Sequence, residues 1–82
     1  MTKTNAQWLM NEYWPNRDRQ VNAESIKIFT KAINIIRDQN NPIPACSCQW
    51  RTNALIAKSL YEQNQTLIEK TATTNVKKRQ SK

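Results

Sequence analysis

The chain has 82 residues, 13 Lys or Arg against 6 Asp or Glu, and a formal charge of +7, with no glycine and no histidine. That length holds one small domain and a tail, not two domains. Without histidine there is no Ser-His-Asp triad, no Cys-His pair and no imidazole metal ligand, and without glycine there is no glycine-rich phosphate loop.

Every familiar catalytic set therefore lacks a member. The expectation is a non-enzymatic protein with no cofactor and no evident small-molecule substrate. Hydrophobic content is 38%, below the roughly 45–50% of a typical soluble domain, so the core must be small. No stretch is long and apolar enough for a signal sequence or a membrane span.

The spacing predicts three helices and no strand, because no region alternates with period two. The first covers Asn5 to Trp14. Thr4 is its expected N-cap, with Gln7 reaching back in a capping box. Ala6, Leu9, Met10, Tyr13 and Trp14 share one face, and Trp8 projects off it. Pro15 pushes the preceding residue out of the helical region and ends the segment. The polar connection that follows carries Arg17 and Arg19.

The second helix is expected over Ala23–Gln39, capped by Asn22. Ile26, Phe29, Ala32, Ile33 and Ile36 form an apolar half-cylinder that Ile28 and Ile35 widen. Such a face contacts two other elements rather than one. Lys27, Lys31, Glu24 and Asp38 lie opposite, which reads as a solvated face. Pro42 and Pro44 then hold an extended break, with Ile43 expected to tuck inward.

The third helix is expected over Cys48–Lys70, capped by Ser47. Trp50, Ala54, Ala57, Tyr61 and Ile68 form its stripe. Leu55 falls on the polar side. Asn53 and Asn64 fall inside the apolar arc, where each is expected to bond a neighbouring loop, or else to set register in a homo-oligomer.

These elements define an all-α fold: a small three-helix bundle over residues 1–70, with a short first helix and two longer antiparallel helices. Residues 71–82 form an expected disordered basic tail. The tail holds Lys77, Lys78, Arg79 and Lys82 with no acid, over half of the net charge. A helix-turn-helix is disfavoured, because the predicted helices are joined by a long, proline-bearing connection rather than a tight turn.

Four groups of residues are candidates for function. Lys77, Lys78, Arg79 and Lys82, with Arg17, Arg19 and Arg51, are suited to phosphate contacts on nucleic acid. Trp8, joined by Leu55, is suited to a protein interface. Cys46 and Cys48 are expected as reduced, small apolar plugs, with redox thiols or thiolate metal ligands shared across an oligomer as alternatives. Trp14, Tyr13 and Trp50 are expected in the core rather than as base-stacking platforms. The leading expectation is a small DNA- or RNA-binding protein of low sequence specificity. The alternative is a structural or interaction subunit of a larger assembly, such as a phage particle, or a protein inhibitor. Ten Asn, eight Ile and eight Thr are compatible with an AT-rich genome such as a phage's. The expected location is the cytoplasm, a host's if the protein is viral.

Overall fold

The computed structural model describes residues 1–73. Among these the chain is all-helical, without a strand. Its helices are α1 (Lys3–Trp8), α2 (Ser25–Arg37), α3 (Trp50–Gln63) and α4 (Gln65–Ala72). The body measures 51 × 22 × 19 Å. Two seams hold it together: α2 packs on α3, and α1 packs on α4.

α1 starts earlier than the capping-box pattern predicts. Thr2, not Thr4, is the N-cap, and its Oγ1 accepts from Asn5 N–H at 3.1 Å. The helical path then continues past Trp8. Leu9–Tyr13 forms a π-turn, with Trp14 N–H donating to Leu9 C=O, and Trp14–Asn16 tightens into a 3₁₀ turn. The wide turn keeps Leu9 and Tyr13 buried one above the other, beside half-buried Met10 and Trp14. Trp14 keeps helical geometry (φ −60°, ψ −42°), so Pro15 does not end the segment; it sits at the start of the 3₁₀ turn, where its missing N–H costs nothing.

α2 starts two residues later than expected, with Glu24 as its N-cap residue, and Asn22 closes the turn that leads into it. Asn22 Oδ1 accepts from Glu24 and Ser25 N–H, both at 2.9 Å. Ser25 answers by accepting Asn22 N–H at 2.9 Å and donating to Gln20 C=O at 2.7 Å. This reciprocal cap satisfies a serine that is fully buried. Replacing Asn22 by alanine removes the acceptor for two first-turn donors. The expected loss is about 1–2 kcal/mol of stability, read from urea unfolding. A loss below a few tenths would show that water caps the turn equally well.

The other end of α2 turns on Asp38, at φ 56°. A left-handed C-terminal residue is usually glycine. A chain without glycine uses an aspartate, whose short polar side chain tolerates the conformation better than most. Gln39 N–H then closes back to Asn34 C=O at 2.9 Å. Asn34 also clamps the following loop: its Nδ2 donates to Asn41 C=O at 2.9 Å, and its Oδ1 accepts Asn41 N–H at 3.1 Å.

The predicted third helix is broken into two. Asn64 leaves helical geometry at φ −114°, ψ 14°, and its Nδ2 donates to Leu60 C=O at 2.9 Å. It bonds its own preceding turn, not a neighbouring loop. A side-chain amide that competes for a helix carbonyl favours such a break. α4 restarts at Gln65 and lays Ile68 and Ala72 against α1, where Gln7 Nε2 reaches Ala72 C=O at 3.5 Å. The start of α3 also differs: Ser47–Gln49 is a 3₁₀ turn capped by Cys46, so Ser47 is not the cap. Ile43 is 41% exposed and does not tuck inward. The loop is held instead by Trp50, whose Nε1 donates to Pro44 C=O at 2.9 Å.

One core joins both seams. Ala6, Leu9, Tyr13, Ile26, Phe29, Ala32, Ile33, Ala57, Tyr61 and Ile68 are its centre. The broad apolar face of α2 meets α3 on one side and the π-turn on the other, as its width predicts.

Candidate functional site

The Arg17–Arg19 connection is organised by an aromatic column. Trp14 stacks on Tyr61, with centroids 4.3 Å apart and planes 14° from parallel. Arg17 caps the column, its Cζ 4.0 Å from the Trp14 ring centre, and its Nη1 donates to Trp14 C=O at 2.6 Å. Asp18 receives Arg17 at 3.7 Å and Lys58 at 3.3 Å. Arg17 is thus half-buried and engaged, whereas Arg19 is exposed and reaches only Asn16 Oδ1, at 3.4 Å. Arg51 is exposed on the first turn of α3, about 10 Å along its axis from Lys58.

Beneath the column lies Tyr13, fully buried, its hydroxyl without a hydrogen-bond partner among the described residues. Burial first, then the carboxylate of Glu62, push its pKa up to about 12; Arg17 pulls the other way, and Asp18 adds a lesser push. Tyr61 is raised too, first by burial. A phenol this reluctant to ionise, with no partner, serves packing and not proton transfer at neutral pH.

A second site lies between the start of α1 and the later turns of α2. There, Thr2 and Asn5 face Lys27, Thr30 and Lys31 across a groove of about 620 Å³ that runs down to Asp38 and the 39–43 loop. Lys27 and Lys31 are exposed and stand one turn apart, so their ammonium groups share a face. Neither has a carboxylate partner among the described residues. Lys31 Nζ rests 4.5 Å from the centre of the Trp8 ring. Thr30 is 6% exposed, and its hydroxyl has no hydrogen-bond partner.

Trp8 is therefore half-buried against the core and covered by a lysine. Leu55 is 65% exposed on α3, on the polar side where its phase places it. Lys77, Lys78, Arg79 and Lys82 lie outside the described residues, as does most of the predicted tail; α4 itself runs to Ala72, beyond the expected boundary at residue 70.

The cysteines depart furthest from expectation. Cys46 and Cys48 are exposed rather than buried plugs, and they are joined to each other in a disulfide. Cys48 N–H also donates to Cys46 Sγ at 3.3 Å. Paired sulfurs offer no thiolate, so the metal-ligand and free-thiol readings both fall in this state. The expected reduced state of the pair falls with them. No cluster of three or more Cys, Asp or Glu that could hold a metal exists among the described residues. Among the same residues, no helix is long and apolar enough to cross a membrane.

Sequence reasoning singled out neither Lys27, Thr30 nor Lys31 as a site. The one-turn spacing of the two lysines was visible and read as a solvated face. The opposite wall comes from α1 and the 39–43 loop, which only the fold brings near. Comparison with protein-family models, with curated proteins and with solved structures finds no match to this chain.

Proposed function

We propose that this chain is a small non-enzymatic binding protein that contacts the nucleic-acid backbone with little sequence preference. The observation that carries the reading is the state of its cations. Asp18 gathers Arg17 and Lys58, while Lys27, Lys31 and Arg51 stay exposed, without an ion pair among the described residues. Lys77, Lys78, Arg79 and Lys82 add four charges in a segment without acids. Unpaired surface cations release counterions when they meet phosphates, which gives affinity without sequence reading. In this reading the helices form a single three-helix bundle, with α3 and α4 as one bent arm, and the four cations of residues 74–82 add to the same phosphate contacts.

The test is duplex binding across a salt series. If the four tail cations each neutralise one phosphate, removing residues 74–82 flattens the log affinity against log salt slope by about 3.6. Absence of binding at low salt, or a slope near zero for the whole chain, overturns the reading.

A second reading is a subunit of a protein assembly. It is favoured by Leu55 and Leu67, which are 65% and 52% exposed on neighbouring helices and leave apolar area for a partner.

A further inference from the structure

The geometry points to the groove between α1 and α2 as a binding site for a small phosphorylated molecule of mononucleotide size. This inference is independent of any nucleic-acid contact elsewhere on the surface. The volume of about 620 Å³ lies within the range that holds small ligands, roughly 300–1,000 Å³. Its two ends differ in charge. Lys27 and Lys31 stand on one wall, and Lys31 is held in place by the Trp8 ring beneath it. A cation already positioned loses less freedom when an anion arrives.

Thr30 supplies the second, independent observation. A helical threonine ordinarily hydrogen-bonds a carbonyl one turn back. Among the described residues the Thr30 hydroxyl has no partner although only 6% of the residue is exposed, and Thr30 lines this groove beside both lysines as well as a smaller cleft toward α3. Buried hydroxyls are rarely left unmade. The oxygen itself is covered, so a phosphate oxygen between Lys27 and Lys31 gives that hydroxyl an acceptor once the threonine side chain turns toward the groove.

The far end is suited to the uncharged part of the ligand. Ile35, Pro42 and Ile43 offer apolar surface for a planar ring, and the Asn34–Asn41 clamp fixes that wall. Asp38 lies seven residues from Lys31, about 10 Å along the helix axis. Its carboxylate repels phosphate there and accepts from a hydroxyl or amino group. Phosphate at the lysine end and a hydrogen-bond donor at the aspartate end describe a nucleoside monophosphate.

The test uses the full chain, titrated separately with adenosine monophosphate, adenosine and inorganic phosphate. Amide and indole NMR shifts report the site, with the Trp8 indole beneath Lys31 as the nearest probe. Adenosine monophosphate is expected to bind saturably, with shifts at Trp8, Thr30 and Asn34. Lys27→Gln with Lys31→Gln should weaken binding by roughly tenfold or more. Thr30→Val keeps the shape and removes only the hydroxyl; it should weaken binding without lowering the melting temperature. Both variants are checked for an unchanged helical spectrum, and Thr30→Val keeps the test valid if the double variant folds poorly. A short single-stranded oligonucleotide serves as a further arm. Tighter binding by it than by the mononucleotide, with shifts at the same residues, assigns the phosphate to a strand. Unsaturable binding, binding unaffected by the variants, or equal affinity for adenosine or for phosphate alone overturns the proposal.

Discussion

Tyr61→Ala is expected to lower the unfolding free energy by about 3–5 kcal/mol, the usual cost of deleting a large buried aromatic. Tyr61 is 2% exposed. It carries Trp14 stacked at 4.3 Å and stands 5.7 Å from Tyr13. Its removal opens a cavity and leaves Trp14 and the Arg17 above it without a floor. A domain of this size has roughly 4–11 kcal/mol in all, so the variant should be partly unfolded or close to it. Tyr61→Phe keeps the ring and should cost under about 1 kcal/mol. Urea unfolding followed by tryptophan emission separates the two. An alanine variant less than about 1 kcal/mol below the parent would mean that the column contributes nothing beyond proximity.

The second large effect comes with alkali. In the unfolded chain the Tyr13 phenol ionises near 10.0, while in the fold it holds its proton to about 12. Between those values the unfolded state binds fewer protons, so stability falls as pH rises. Two pH units correspond to about 3 kcal/mol; Tyr61, also raised, acts in the same direction. Stability from this source is intact below pH 10 and gone above about 12. Tyr13→Phe removes the Tyr13 share of that slope. It also deletes a buried hydroxyl that has no partner, so at neutral pH the variant should match or exceed the parent. Unfolding curves at stepped pH, with phenolate absorbance as a second probe, give both numbers. A phenylalanine variant more than about 1 kcal/mol less stable at neutral pH would reveal a partner for that hydroxyl.

Much of the helix pattern was legible because it depends on local spacing. The α2 stripe of Ile26, Phe29, Ala32 and Ile33 is buried as its period demands, and Asn22 closes the turn just before the helix. Leu55 lies exposed on the polar side, where its phase put it. What escaped the sequence was set by competition between neighbours. Asn64 reads as one more position on an apolar arc, yet its amide takes a carbonyl from its own helix and splits the arm. The π-turn at Leu9–Tyr13 has no compositional signature; it ends on Tyr13, whose ring packs against Phe29 and Tyr61. The cysteine pair was read as two thiols, since spacing alone does not report oxidation. The groove was illegible for the same reason as the second seam: Thr2 and Asn5 meet Lys27 and Lys31 only after the chain has folded back.

That second seam bears on how the chain reaches its fold. Gln7 and Ala72 are 65 positions apart, and the contact joins the two ends of the described chain. Closing so long a loop costs entropy before any contact repays it. The α2–α3 pair spans a much shorter loop, so its closure costs less. α1, with six residues, is too short to persist alone, and α4, with eight, is little better placed. Each depends on the other and on the platform beneath them. The break at Asn64, which aims α4 back at α1, therefore acts as a latch: two helices too short to persist alone hold each other at the ends of the described chain.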